Sequence, residues 1–300
     1  MILPDLPPKL DKILVCPLCH GQLRTADEKL LCITCGQEYP VAGNSPVMLS
    51  ANHPLLPVFR EGLPPPPPVS WKGKLRQLVP EPEPRVWTHT SQQTIARALS
   101  EARPDDPDRT VVNLGAGVER VFQRLFAPYH QILYIGLPHS GHVDAFADAQ
   151  LLPLMDDSVD LFFSSSVLEH IRNPEQAVAE MARVVRPDGL VYAEIPFLRA
   201  FHMVPNDFQR YTYSGIEALF ERHGFSLVEK GICSGPFNAW GLLFRDFVFV
   251  VTPTRPLKMT LRALTSWLIH PFKYLDHFFE NATWATYQAC NFYYLGRKNR

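Results

Sequence analysis

The chain has no long apolar run, almost no net charge and few cysteines outside one short stretch. The nearest approach to a membrane span, Ala239 to Val251, carries Arg245 and Asp246 in its middle and falls short of the ~18–20 apolar residues a span requires. Met1 to Lys12 mixes prolines with both signs of charge, so no basic segment leads into an apolar one and no secretory leader is expected. A formal net charge of −1 argues against a chain-wide electrostatic grip on nucleic acid, though not against a local basic patch. No internal repeat is visible. What is present is a chain of 300 residues, 46% hydrophobic, long enough for one large domain and a small one.

Of six cysteines, four lie within Cys16–Cys35, while Cys233 and Cys290 stand apart. This spacing suits a metal site rather than a secreted disulfide framework, and it points to a reducing, cytoplasmic location. Cys16-Pro17-Leu18-Cys19 and Cys32-Ile33-Thr34-Cys35 are two CxxC pairs, each able to close a knuckle on one ion. Gly21 and Gly36 follow them, where a strained backbone is often needed. Four thiolates complete a tetrahedral zinc shell and leave no position for a reacting water, so zinc at Cys16, Cys19, Cys32 and Cys35 is expected to be structural. Metal binding would also supply folding free energy to a unit with little core of its own. Four free thiols or a redox pair form the alternative. His20 reads as a surface neighbour. The segment resembles the zinc ribbons of the Trm112-like family, through the two pairs and the tail Gln37-Glu38-Tyr39-Pro40-Val41 and Pro46-Val47-Met48-Leu49. Members of that family often activate methyltransferases. A similar amino-terminal ribbon occurs in some ribosomal-RNA guanine methyltransferases, which keeps RNA among the conceivable substrates.

Residues 1–50 read as this ribbon, 51–86 as a proline-rich linker and 87–300 as the main domain. Pro64–Pro68 and Glu81-Pro82-Glu83-Pro84 favour an extended, semi-rigid spacer. A helical pattern begins at Thr90 and breaks at Pro104. Beyond it, Val111–Leu114, Gln131–Ile135, His142–Ala147, Val159–Ser164 and Leu190–Ile195 read as strands, with helices at Glu119–Phe126 and Pro174–Val185. Such alternation predicts a doubly wound α/β domain with a mostly parallel sheet.

Gly115-Ala116-Gly117 follows the first of these strands, at the edge where open α/β sheets bind ligands. A Gly-x-Gly turn by itself is equally a plain tight turn. A dinucleotide site would want glycine at position 120, where Arg120 stands. It would also want an acid at the end of the second strand, which instead reads Tyr134-Ile135-Gly136-Leu137-Pro138. NAD is therefore disfavoured. The downstream order is VDAFADAQLLPLMDDSVD over Val143–Asp160, LFFSSSVLEHI over Leu161–Ile171, Asn173-Pro174, VVRPDG over Val184–Gly189, and a strand ending Ile195-Pro196-Phe197.

This order resembles the class I S-adenosylmethionine-dependent methyltransferases of the type 11 group, from about Thr110 to Gly231 and again over Phe292–Lys298. The resemblance implies a seven-stranded sheet, S-adenosylmethionine as cofactor and methyl transfer as the activity. It places Asn113, Gly115 and Gly117 at the methionine and ribose part of the cofactor, and makes Asp148, followed by Ala149, the acceptor for the adenine amino group. Ser164 and Ser165 would border the methyl group. Asp148 also reads as a simple strand-end cap. The acid that usually holds the ribose hydroxyls is missing at Gly136 or Leu137, where a neighbour such as His139 would have to substitute. A non-catalytic, partner-binding module is the alternative that this gap opens. Asp188 stands where the group commonly has glycine.

The loop after the fifth strand carries His202, Asn206, Asp207, Gln209, Arg210, Tyr211 and Tyr213, and ends in the capping-box pattern Ser214-Gly215-Ile216-Glu217. It should lie where an acceptor docks. His202 has the ordinary pKa range of a general base, Asp207 could act likewise or orient His202, and Arg210 could hold an anionic group. Alternatively these residues tie down a long loop. Ser164-Ser165-Ser166 lacks the Asn/Asp-Pro-Pro-aromatic element and the cysteine nucleophile of many nucleic-acid methyltransferases. The expected reaction is therefore methylation at oxygen of a small-molecule, glycan or lipid-linked acceptor, with RNA as the alternative. Ser226–Cys233 and Phe292–Gly296 read as the sixth and seventh strands. Between them, residues 236–290 form an insertion rich in Phe, Trp and Leu, with Arg255, Lys258, Arg262 and Lys273. A lid, a homodimer face, a surface resting on membrane lipid and plain packing on the core are the readings it permits.

Overall fold

The computed structural model describes residues 8–26, 29–60, 79–80, 88–102, 106, 108–115, 132–138, 143–202 and 206–300. The cysteine-bearing unit contributes β1 (Leu23–Ala26), β2 (Lys29–Cys32), β3 (Glu38–Ala42) and β4 (Ser45–Met48). The main domain contributes β5 (Val111–Leu114), β6 (Ile132–Gly136), β7 (Ala145–Ala147), β8 (Val159–Ser165), β9 (Val185–Pro196), β10 (Phe225–Ser234) and β11 (Asn291–Lys298). Their hydrogen-bonded order is β1-β2-β3-β4-β7-β6-β5-β8-β9-β11-β10. The run from β7 to β9 is parallel, and β11 and β10 close it in antiparallel fashion. This is the expected doubly wound sheet of seven strands, with a further strand, β4, added in parallel beside β7.

Alternation along the central strands shows why both faces are covered. Val112, Phe162 and Val191 point to one buried cluster, with Val178 and Met181 of the helix Pro174–Val184 and Ile216 of the helix Tyr213–Glu221. Val111, Leu161, Phe163 and Tyr192 point to the other, with Ile95 and Leu99 of the helix His89–Glu101. Near-continuous apolar strands of this kind are stable only when sandwiched. The helix Pro174–Val184 starts as its sequence dictates: Asn173 accepts a hydrogen bond from Gln176 N, and Pro174 opens the first turn.

Expected and observed strands differ mainly at two ends. β7 runs from Ala145, with His142 outside the described residues, and Asp144 just before it folds back on β6: its N–H donates to Tyr134 O (2.8 Å) and its carboxylate accepts from Tyr134 N (2.7 Å). β9 begins at Val185, before the turn in which Asp188 sits at φ +63°. Aspartate tolerates this left-handed conformation better than most residues, which accounts for it where glycine is common. The helix expected over Glu119–Phe126 lies outside the described residues, as does the proline-rich stretch 61–78.

Contacts on two sides seat the cysteine-bearing unit on the main domain. Val47 and Met48 of β4 pair with Phe146 and Ala147 of β7. On the other side, Val15 N donates to Pro153 O (2.9 Å), and Leu14 bridges Leu154. Segment 152–154 is itself fixed from below: Glu180 accepts from Leu152 N, and Arg183 donates to the carbonyls of Leu152 and Leu154. The first residues of the expected linker also belong to this assembly. The short helix Leu56–Arg60 presses Phe59 onto Phe146, ring centroids 4.7 Å apart.

Between β10 and β11 the chain forms the helices Pro236–Val251 and Arg255–Ile269, followed by shorter turns to Gln288. The Asp276 carboxylate accepts from the backbone N–H groups of Gly235, Phe237 and Asn238, capping the first of these helices. Among the described residues no helix is long and apolar enough to cross a membrane.

Candidate active site

The carboxyl ends of β5, β8 and β9 open on the same edge of the sheet, and most of the expected site residues lie there. Asn113 is buried in β5, paired with Tyr134 and Phe163. Gly115 ends that strand at φ +72°, its N–H donating to Ile135 O. A Cβ on Gly115 would fall 2.3 Å from Val167 Cγ2, so the turn after β5 lies directly against the turn after β8. Gly117 and His139 lie outside the described residues.

At the end of β8 the two serines differ. Ser165 donates to Glu194 Oε2 (2.6 Å), and Tyr192 donates to Glu194 Oε1 (2.8 Å), so this hydroxyl is committed within the protein. Burial beside Glu194 pushes the Tyr192 phenol well above its ordinary value. Ser164 Oγ is fully buried and has no hydrogen-bond partner among the described residues. It is the kind of orphaned polar atom that a bound ligand satisfies.

Asp148 follows β7 and uses Oδ1 to accept from Gln150 N (2.9 Å), the capping role foreseen as its alternative. Its Oδ2 faces His53 Nε2 at 3.7 Å. His53 Nδ1 accepts from Leu55 N, so the proton sits on Nε2 and points at Asp148. Burial holds His53 below its ordinary value, which keeps it a neutral donor. Ala149 is buried beside Asp148. The missing acid after β6 has a structural counterpart: Leu137 packs with the apolar cluster of Val47, Leu56 and Phe59.

The acceptor loop brings His202, Asp207 and Arg210 together. Arg210 grips Asp207 with both terminal nitrogens, Nη1 to Oδ1 in a short contact and Nη2 to Oδ2 at 2.6 Å. That guanidinium pulls the Asp207 carboxyl down to about 2. Asp207 also accepts from His202 N (2.9 Å) and faces His202 Nδ1 at 3.5 Å. It therefore orients His202 and carries a fixed negative charge. Loop and turn are clasped: Gln209 Nε2 donates to Leu168 O and Ile171 O, both 2.8 Å, and Phe208 N donates to Glu169 O.

The structure adds two residues to this group. Glu169 and His170 stand on the 3-10 turn Leu168–His170, inside the LEHI segment that served as a motif without a chemical role. A carboxylate beside an imidazole at the end of a central strand was the available signal. Glu169 is fully buried, and its Oε1 lies 3.6 Å from His202 Nε2 and 3.7 Å from His170 Nε2.

In the amino-terminal unit, the four thiols of Cys16, Cys19, Cys32 and Cys35 lie within 4.8 Å of one another. Cys16 and Cys35 are 3.7 Å apart and Cys19 and Cys32 3.5 Å. Four sulfurs at the ~2.3 Å bond length of zinc would stand about 3.8 Å apart, so the set is close to tetrahedral as it stands. Tyr39 OH lies 3.1 Å from Cys16 Sγ, within hydrogen-bond reach of that sulfur.

Residues 136–193, which hold β7, β8, Asp148 and the Glu169 turn, match the family described as a methyltransferase domain. Over those residues the chain is similar to that methyltransferase domain. An uncharacterized methyltransferase of Mycobacterium avium (strain 104) is 54% identical over 96 residues, 27% of this chain and 37% of that protein. One of Mycobacterium ulcerans (strain Agy99) is 51% identical over 57 residues, 18% of this chain and 22% of that one. The matched stretches thus span between about a fifth and two fifths of these relatives. Among solved structures, the [4+2]-cyclase SpnF matches 70% of this chain and 82% of its own at a TM-score of 0.44 and 14% identity. A phosphoethanolamine N-methyltransferase of Haemonchus contortus, solved with S-adenosyl-L-methionine, matches 69% of this chain and 53% of its own at 0.42 and 12%.

Proposed function

We propose that this methyltransferase domain transfers a methyl group from S-adenosylmethionine to an oxygen of a small-molecule, glycan or lipid-linked acceptor. The observation that carries this reading is the convergence of His202, Asp207, Arg210 and Glu169 at the ends of β8 and β9, beside the Gly115 turn. S-adenosylmethionine supplies an electrophilic methyl on a sulfonium centre. The chain's own part is to bind, align and manage one proton. Ser164 Oγ and the Gly115 turn offer a buried polar atom and an accessible backbone for the cofactor, and Asp148 offers a carboxylate oxygen. His202, held by Asp207 through Nδ1, takes the acceptor's proton at Nε2. Arg210 keeps Asp207 ionised and so holds the imidazole in that orientation.

RNA as acceptor is less well supported. The exposed Lys29 of the cysteine-bearing unit is paired to Glu38 (2.8 Å), and the net charge of the chain is −1. The four cysteines suit a structural zinc ion, since four thiolates complete a tetrahedral shell. The test is a transfer assay with labelled S-adenosylmethionine on polar-lipid, glycan and RNA fractions, run beside calorimetric titration of the cofactor. Label in a base-stable or base-labile oxygen ether or ester supports the reading, and label in RNA replaces it. Failure to bind the cofactor would instead favour a non-catalytic, partner-binding module.

A further inference from the structure

Glu169, His170 and His202 place three donor atoms within 4.8 Å of one another: one carboxylate oxygen and two imidazole nitrogens. We infer that they form a divalent transition-metal site, distinct from the four cysteines, where the turn after β8 meets the loop after β9.

The tautomers of the two imidazoles carry the argument. His170 Nδ1 makes a short contact with Asn206 O, a carbonyl that can only accept, so its proton is on Nδ1 and Nε2 bears a lone pair. His202 Nδ1 faces Ala200 O at 3.3 Å and Asp207 Oδ2 at 3.5 Å, two further acceptors. Arg210 Nη2 is also 3.2 Å from this nitrogen, but its two N–H bonds are taken by Asp207 Oδ2 (2.6 Å) and Ala200 O (3.2 Å). The His202 proton therefore also sits on Nδ1. Both Nε2 lone pairs then aim at Glu169 Oε1, itself an acceptor, at 3.6 and 3.7 Å. With both rings neutral, the three facing atoms are all acceptors, and a cation or added protons must lie between them.

Glu169 makes this arrangement costly unless something fills it. Its side chain is 0% exposed, and neither carboxylate oxygen has a hydrogen-bond partner among the described residues. A buried ionised carboxylate without partners is strongly unfavourable, and a cation between the three atoms removes the penalty. The spacing fits. Ligands held tetrahedrally at ~2.1 Å stand about 3.4 Å apart, only slightly closer than the two distances observed. The surroundings fit as well. Arg210 is paired with Asp207, which leaves the Glu169 charge for a cation, and each imidazole faces a backbone carbonyl or carboxylate with its outer nitrogen, as metal-bound histidines do.

Two imidazoles and one carboxylate suit zinc, iron(II) or manganese(II), with coordination positions left open. An ion held there would be able to polarise an acceptor hydroxyl brought to the same ends of β8 and β9. That consequence rests on the methyl-transfer reading, whereas metal binding does not. With the ion in place, His202 would be a ligand rather than the base, and a hydroxyl made acidic by the ion would give its proton to water.

The full-length chain is titrated with cobalt(II), without cofactor or acceptor. Cobalt at four thiolates shows intense thiolate-to-metal charge transfer, and cobalt at nitrogen and oxygen ligands shows only weak d–d bands. The expected result is one equivalent without charge transfer, in addition to any thiolate-bound equivalent. Glu169→Gln should weaken that equivalent by at least about 100-fold and His170→Gln by at least about 10-fold, with the thiolate signal retained as a check on folding. Should Glu169→Gln lose the thiolate signal too, His170→Gln decides. A wild-type chain that takes no nitrogen- and oxygen-bound cobalt overturns the inference. So does an equivalent that survives both substitutions, or ring-nitrogen chemical shifts showing only a proton shared between the histidines and Glu169.

Discussion

Val47 of the cysteine-bearing unit pairs in parallel register with Phe146 of β7, two residues before Asp148. With Val15 bonded to Pro153, the same unit touches both flanks of the segment that holds Asp148 and Ala149. The first CxxC pair, starting at Cys16, is thus one residue from one of these contacts. The unit and the main domain should therefore unfold together. Cys32→Ser, or chelation, should lower the melting temperature of the whole chain by several degrees, at roughly 2–4 °C per kcal/mol for a domain of this size. Calorimetry should show one transition that moves. A separate early transition, with the main one unmoved, would refute the coupling.

Asp148 offers Oδ2 towards His53 while Oδ1 caps its own turn. If it also accepts from the cofactor's adenine, Asp148→Asn removes one charge-assisted hydrogen bond, worth about 1.5–3 kcal/mol. Calorimetric titration should then show S-adenosylmethionine bound roughly 10- to 100-fold more weakly. Unchanged affinity would leave Asp148 as a turn cap.

Legibility followed the range of the interactions involved. Apolar runs bounded by turn residues predicted β5 and β8 to within a residue, because a doubly covered strand must be continuously apolar. The cysteine set was readable from spacing because each knuckle is local. The addition of β4 to the sheet was not, since a parallel partner leaves no mark on a four-residue strand. Nor was the Glu169 cluster. Its members come from turns more than thirty residues apart, and it is the clasp by Gln209 and Phe208 that joins them. His53 met Asp148 for the same reason, through a fold-level contact no local pattern records.

Asp207 gives the acceptor loop a defined acid response. Its folded pKa, about 2 because of Arg210, lies below the ordinary unfolded value of ~3.9. A depressed carboxylate contributes stability above the unfolded value and loses it as pH falls through the folded one. The side chain is 1% exposed, so the contribution is not screened away, and ~2 kcal/mol should disappear between about pH 4 and pH 2. Melting temperatures of wild type and Asp207→Asn should converge across that window and stay apart above it. Parallel curves would show that the Arg210 pair carries no such weight.

Gly115 is constrained twice, by φ +72° and by Val167 Cγ2 at 2.3 Å from where a Cβ would stand. Gly115→Ala should cost about 1–3 kcal/mol from backbone conformation and overpacking. Adding Val167→Ala relieves the contact but not the φ angle. The double variant should therefore recover part of the loss in chemical denaturation, and full recovery would mean that the backbone there is not strained.

The insertion exposes more apolar surface than water favours. Trp240, Phe244, Phe247 and Val251 recur along one helix at spacings of four, three and four, and Trp267 and Leu268 are exposed on the next. Phe247 is 63% and Trp267 60% exposed. Contiguous patches of this kind mark interaction sites. Arg255, Lys258 and Arg262 stand at the start of the second helix, with Lys258 and Arg262 over the ring of Phe249. A basic margin beside an aromatic face is what an anionic bilayer surface attracts, each cation near it being worth about 1 kcal/mol. The chain should co-sediment with phosphatidylglycerol vesicles, less with phosphatidylcholine, and less as salt is raised. Phe247→Ser with Trp267→Ser should abolish the binding, while Lys258→Glu with Arg262→Glu should remove its preference for anionic lipid. If the patch instead joins two copies of the chain, the wild type will sediment as a dimer, the serine variant as a monomer, and neither with lipid.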